Sequence, residues 1–487
     1  MSTQINQQLK ETGVAQVLVV LKPLAGGAGA EGAGGAASMG GAASVGALAL
    51  TSDSAASPLS GLEDYFVQSD LSLNSQIADA GLSFSPAASL GSSPRRKQAP
   101  PPPVHIYPNL GLMLGTVNRD GLAGLKSDDR VASVGGAPQL SLIKPVRVEA
   151  ATMQTKVTWG IEFLGVTKLW AEGLSGKGVR VAHLDTGVDG KHPALKTAIA
   201  SFAEFDSFGR LVKPGPAAHD TGQHGTHTAA TIAGRPVQGR AVGVAPKATL
   251  ASALVIEGGN VIARVLGGMN WVLTQGVSIL SMSLGLPGLL EEFLPITQIL
   301  RARKVLPVMA VGNEGPGRSR SPGNYAEALS VGAIDDQSLI AQFSSSQRFK
   351  RKVEPIVPDL AAPGVNVISA RPGGGFQAMD GTSMATPHIA GLAALLFEAK
   401  PTASIDDVEK AIFNSCKLGK GMSKDRGNRG IPDAARAFKE LTGNTLGAKP
   451  KSSSSAKKAA SPASKAGKKI TTKKKSSTKK KTTKKTK

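Results

Sequence analysis

The chain runs to 487 residues, 41% of them hydrophobic, with a formal net charge of +22. That length excludes a single compact core, since domains hold roughly 100 to 200 residues. A chain basic throughout is excluded as well, because sixteen lysines and no acid lie between Ala448 and Lys487, leaving the first 447 residues at a formal +6.

The opening "MSTQINQQLKETGVAQVLVVLK" offers only "VAQVLVVL" as an apolar stretch and lacks the layout of a secretory signal. No run approaches the roughly 18 apolar residues of a membrane-spanning helix. A cytoplasmic protein is expected, with export by a non-classical route left open. The one cysteine, Cys416, cannot form an intrachain disulfide and reads as a small buried apolar residue.

Residues 1–150 read as a small α+β domain broken by two low-complexity inserts, over 25–58 and 91–103. "VAQVLVVLK" predicts a strand, "LEDYFVQSD" a short helix, "NLGLMLGTV" a strand, "NRDGLAGLKSD" a helix capped by Asn118, and "RVASV" another strand. The Gly/Ala/Ser run of the first insert buries too little side chain to fold, and the four prolines of "SPRRKQAPPPPV" favour an extended spacer.

Across 151–445 near-continuous apolar runs ("GVRVAHLD", "ATLASALV", "VSILSMSLG", "VLPVMAVG") alternate with helical spacing in "NVIARVLGGMNWVLTQG" and "SMATPHIAGLAALLFEAK". Such alternation predicts an α/β domain around a mainly parallel sheet flanked by helices, with ligands at the carboxyl ends of the strands. Reactive groups gather at those ends. Asp185 closes one strand, His224 opens a helix, Asn313 follows another strand, and Ser383 lies at a helix start. Acyl transfer needs a hydroxyl, an imidazole, a carboxylate to hold it and a donor for the oxyanion. Taken singly, Asp185 could cap a turn, His224 could be a satisfied core histidine and Ser383 a plain N-cap.

The blocks "LDTGVDGKHPAL", "HGTHTAA", "SMSLG", "AVGNEG", "APGVNVISA" and "GTSMATPHIAG", in that order, resemble the catalytic domain of the subtilisin-like serine peptidases over about Val157 to Leu441. The resemblance implies a three-layer subtilisin-like fold, with Asp185 as orienting carboxylate, His224 as general base and acid, Ser383 as nucleophile and Asn313 as oxyanion donor. An extended substrate would lie between Ser283-Leu284-Gly285 and Gly258-Gly259-Asn260, with Ala310 and Gly312 in the same binding set. His183, His192, His227 and His388, inside these blocks, read as structural.

Two departures from the family stand out. Many relatives bind calcium through an Asp after the "HP" of the first block and an Asn-containing loop, where this chain has Ala194 and Val237. Calcium needs six to eight oxygens, so that site is expected to be absent and no cofactor is expected. Arg320 falls where relatives shape the pocket for the side chain before the scissile bond, which implies a preference for Asp or Glu there. Arg320 facing solvent is the alternative.

"VAQVLVVLK" and the segment from "NLGLMLGTV" to "RVASV" look like the family's ferredoxin-like propeptide domain. An inhibitor of the chain's own site is thus implied, with a cut within "LSLIKPVRVEAATMQTKVTW". The tail over 446–487 resembles lysine-rich linker-histone tails and has no aromatic residue for base stacking. It would bind nucleic acid electrostatically, or serve as a solubilising or anionic-surface tether. The expected function is a self-inhibited serine endopeptidase. A DNA- or polyanion-associated binding module of little activity on the same scaffold is the alternative.

Overall fold

The structure is a computed structural model that describes residues 3–23, 59–68, 104–258 and 261–447. The two inserts, the tail from Ala448 onward and the pair Gly259 and Asn260 lie outside the described residues.

The chain begins with a helix, α1 (Thr3–Thr12), that the sequence reading did not foresee. Its apolar face consists of only Ile5 and Leu9, one turn apart, too little periodicity to read, yet both are buried on the neighbouring sheet. That sheet is antiparallel and joins β1 (Ala15–Leu21), β2 (Val104–Tyr107), β3 (Leu112–Val117) and β4 (Val131–Gly136) in the order β2-β3-β1-β4. Between β3 and β4 lies α2 (Arg119–Ser127), where Asn118 Oδ1 accepts from Gly121 N at 2.8 Å as the capping pattern predicts. Within the described part of "LEDYFVQSD", up to Gln68, the expected helix is a single 3-10 turn, Glu63–Tyr65, since so short a segment does not repay helix nucleation. Leu62 and Phe66 still anchor it in the core.

Two short strands follow, β5 (Ser141–Leu142) and β6 (Arg147–Ala151), and both pair with the larger half of the protein. That half is built from β7 (Arg180–Asp185), β8 (Ile199–Glu204), α3 (His224–Ala233), β9 (Thr249–Leu254), α4 (Val261–Val272), β10 (Ile279–Met282), β11 (Leu284–Pro287), α5 (Leu294–Ala302), β12 (Leu306–Ala310), β13 (Arg320–Ser321) and β14 (Leu329–Ile334). The minor hairpin β15 (Gln347–Arg348) and β16 (Ile356–Val357) precedes β17 (Leu360–Pro363), β18 (Val367–Ala370), β19 (Phe376–Asp380) and α6 (Thr382–Ala399).

Seven strands form one sheet in the order β17-β14-β12-β10-β7-β9-β8, and every pairing in it is parallel. Helices cover both faces, which gives the expected three-layer α/β fold. The face under α3 and α6 is filled by Ile232, Ile389, Leu392, Leu396 and strand residues such as Val308 and Val331. Leu266, Met269, Phe293 and Ile296 of the opposite face share a cluster with Leu18, Tyr107, Leu112 and Leu114 of the N-terminal sheet. Polar contacts pin that junction, with Tyr107 Oη donating to Ala263 O at 3.2 Å and Asn109 N donating to Asn270 Oδ1 at 2.8 Å. Because the seven strands are parallel, their carboxyl ends share one edge, and strand order reverses around β7. Asp185 stands at that reversal.

Candidate active site

Asp185 is the last residue of β7 and His224 the first of α3, and both are buried. His224 Nδ1 lies 2.7 Å from Asp185 Oδ1 and 2.9 Å from Oδ2, while Thr186 N donates to Oδ1 at 2.7 Å. Burial pushes the Asp185 carboxyl up, but His224, His183 and the Thr186 N–H outweigh it and hold it below the usual carboxylate range. A carboxylate so held fixes the imidazole with Nδ1 protonated and Nε2 free to accept. His224 Nε2 is buried and has no hydrogen-bond partner.

Ser383 is the second residue of α6, where its neighbouring backbone N–H groups and the helix dipole face the cleft. Asn313 follows β12 after Gly312, whose φ of 117° is open to glycine, and any Cβ there would meet Glu314 Oε2 at 2.5 Å. Thr382 orients the Asn313 amide. Its backbone N and its Oγ1 both donate to Asn313 Oδ1 at 2.9 Å, so the NH₂ must point the other way, into the cleft.

The cleft contains the chain's own residues 141 to 151. Leu142 and Ser141 of β5 pair antiparallel with Leu284 and Gly285 of β11, and Ile143 N donates to Ser283 O at 3.1 Å. Ile143 is buried. Ser383 Oγ donates to Ile143 O at 2.8 Å, and Asn313 Nδ2 donates to Lys144 O at 2.9 Å, one residue further on. Beyond the turn at Pro145, β6 runs antiparallel beside β19, and Arg147 Nε donates to Asp380 Oδ2 at 3.0 Å. The strap therefore enters along β11, crosses Ser383 and leaves along β19.

Comparison with known proteins agrees with this arrangement. A family profile described as the subtilase family (Peptidase_S8) matches residues 176–438, more than half of the chain. The chain belongs to the subtilase family. This subtilase is 35% identical over 268 residues to the major intracellular serine protease of Bacillus subtilis (strain 168), covering 53% of this chain and 80% of that protein. It is 35% identical over 280 residues to the M-protease of Shouchella clausii (strain KSM-K16), covering 57% and 69%. With the thermostable alkaline protease of Halalkalibacterium halodurans it shares 32% identity over 337 residues, covering 69% and 85%. It is a subtilisin-like serine endopeptidase.

Other positions singled out in the subtilase sequence fall as follows. Ala310 ends β12 and is buried; Gly258 is exposed before the undescribed Gly259 and Asn260. Arg320, 17% exposed in its side chain, turns into the fold rather than to solvent, but it is not a free cation. Its Nε donates to Glu314 Oε1 at 2.6 Å, and its Nη1 reaches Ser141 Oγ at 3.1 Å and Gly285 O at 3.3 Å. Glu314, directly after Asn313, is the partner of Arg320 that the sequence reading missed; an acid adjoining the oxyanion candidate was the available signal. Near Ala194, Arg235 N donates to Ala194 O at 2.8 Å. The Arg235 guanidinium reaches the carbonyls of Ala233, Ala248 and Thr197 at 2.9, 2.7 and 3.0 Å, so a fixed cation already serves this turn. Cys416 caps the helix Ile405–Ser415 and is half-buried, and burial pushes its thiol up to about 12. Among the described residues no helix is long and apolar enough to cross a membrane.

Proposed function

We propose that Asp185, His224, Ser383 and Asn313 carry out peptide-bond hydrolysis through an acyl-enzyme, and that residues 1–150 hold this site latent through the strap. Ser383 Oγ attacks the substrate carbonyl carbon and passes its proton to His224 Nε2 while Asp185 steadies the imidazolium. Asn313 Nδ2 and the Ser383 N–H bind the oxyanion. The C–N bond then breaks, His224 returns the proton to the leaving amine, and a water activated by His224 Nε2 releases the acid and regenerates Ser383.

The observation that carries the reading is the Asn313 amide, locked by Thr382 and donating to a strap carbonyl beside the Ser383 hydroxyl. The same contacts support latency. Ser383 gives its proton to Ile143 O instead of His224 Nε2, and Asn313 serves the carbonyl of Lys144, so hydroxyl and oxyanion donor do not act on one peptide group. Release follows a cut after Ile143, the residue whose N–H pairs with Ser283.

Glu314 narrows the expected acidic preference, because the Arg320–Glu314 pair is neutral as a whole. An intracellular site of action, supported by the relative named as an intracellular serine protease, completes the proposal.

Fluorophosphonate labelling with mass spectrometry tests it. Ser383 is expected to label slowly in the intact chain and faster once the strap is cut, and Ser383→Ala to abolish both labelling and hydrolysis. Equal rates before and after cutting remove the latency, and no labelling in either state removes the catalytic assignment.

A further inference from the structure

Behind Asp185, on the side away from the cleft, lies a cluster of polar side chains that the triad does not require. His183 precedes Asp185 by two residues on β7, so strand alternation puts both side chains on the same face of the sheet, under α3. His183, Thr228 and Ser252 are all 1% exposed or less. Ser252 stands directly across from His183 on β9, with its Oγ 3.0 Å from His183 Nδ1. On the other side of the ring, His183 Nε2 is 2.9 Å from Thr228 Oγ1, one turn along α3 from His224. Thr228 Oγ1 in turn lies 3.2 Å from Asp185 Oδ2.

Resting on the assignment of Asp185 and His224 above, we propose that His183 and Thr228 are positioning residues for the reaction, forming with Ser252 a one-directional chain of hydrogen bonds that ends on the Asp185 carboxylate.

Donor counting fixes its direction. Thr228 has one hydroxyl proton and three acceptors at 3.2 Å, namely Asp185 Oδ2, His224 O and Gly225 O. The two carbonyls lie within α3 and take helical N–H donors, whereas the carboxylate offers a charge-assisted bond, so the proton goes to Oδ2. The Thr228 oxygen then accepts from His183 Nε2–H, and His183 Nδ1 accepts from Ser252 Oγ–H. Each group donates once, and His183 stays neutral. Burial, and secondarily the approach of His224, oppose protonation of His183, while Asp185 and Asp220 favour it; these are the titratable groups that face it, and its basicity comes out lowered. The result is a carboxylate gripped at both oxygens, with Oδ1 on Thr186 N and His224 and Oδ2 on Thr228. It cannot swing away when His224 gains its proton.

Thr228→Val keeps the side-chain shape and removes the hydroxyl. In the processed enzyme, kcat on a peptide substrate is expected to fall about ten-fold, the size of one hydrogen bond to a charged group, with KM changed less than about two-fold. The acid limb of the kcat/KM profile moves to higher pH, because Asp185 with one donor fewer keeps more charge for the imidazolium. His183→Leu should do the same, and the double variant should be no worse than Thr228→Val alone. Unchanged kcat and acid limb in Thr228→Val, at whatever cost in melting temperature, overturn the proposal. Histidine ring ¹H–¹⁵N spectra of the intact chain decide independently of turnover. They should show His183 as the neutral Nε2–H form and a His224 Nδ1–H signal that shifts in Thr228→Val; an Nδ1–H form of His183 overturns the chain of bonds. Failure of the catalytic assignment itself would show differently, as wild-type enzyme that never labels at Ser383.

Discussion

The two halves of the site are held in different ways. Asp185 and His224 are bound to each other and buried, on β7 and α3 of one sheet-and-helix layer. Ser383 and Asn313 are tied to each other through Thr382, but their working atoms are spent on the strap, at Ile143 O and Lys144 O. One half is held by interior packing, and the other hydrogen-bonds to a segment of its own chain, residues 141–151. The proposed latency needs no distortion of the Asp185–His224 pair, because the strap diverts only one proton and one amide.

The largest expected effect falls on the second half. Asn313→Leu should lower kcat by about 10²- to 10³-fold, the size known for a side-chain oxyanion donor in a related enzyme, with little change in KM. It should also loosen the strap, read as faster cutting within 140–151 by an added protease, while the Asp185–His224 ring signal stays in place.

Glu314→Gln tests the pocket beside that half. Stripped of its carboxylate partner, Arg320 should favour Asp or Glu before the scissile bond by about ten-fold in a peptide library, in line with a charge-assisted pair. No gain in acidic preference would separate Arg320 from substrate selection.

A smaller effect is expected at the strap's exit. The Arg147–Asp380 pair is partly exposed, so Arg147→Ala should free only ~1 kcal/mol or less and raise the labelling rate of the intact chain a few-fold. The already cut enzyme should not respond.

The smallest effect concerns the helices that carry the two halves. Burial lowers His227 on α3 to about 3 and His388 on α6 to about 4. In the unfolded chain both take up protons below about 6.5, whereas the folded ones do not, so stability falls as pH drops from 6.5 towards 4. Asp359 opposes this, since burial raises it and the folded state then holds a proton that the unfolded chain has lost. The two histidines and His183 outnumber it, and melting temperature should decline by a few degrees between pH 6.5 and 5. A flat profile would mean that these rings protonate in place.

Much of this was legible in the sequence for local reasons. Asp185, His224, Asn313 and Ser383 each sit where a strand or helix ends, in blocks whose spacing survives without knowledge of the fold. The strands over Ala15–Leu21 and Leu112–Val117 were plain from apolar runs, and α2 from its cap. Helix α1 was not, because Ile5 and Leu9 acquire meaning only against a sheet made mostly from residues a hundred positions away. Glu314 and Thr382 were overlooked because their roles lie in what they touch. In "RVAHLD" the histidine inside an apolar strand was visible but had no partner to interpret it.

By itself, then, the sequence determined the fold class and the family and put Asp185, His224, Asn313 and Ser383 forward as the reactive groups, since these depend on residue type and periodicity within short segments. The tertiary structure alone decided which atoms meet. That Asn313 faces the cleft, that Arg320 is neutralised, that Ile143 lies against Ser383 and that His183 reaches Asp185 through Thr228 all follow from long-range packing, where contacts a few ångströms wide join residues far apart in the chain.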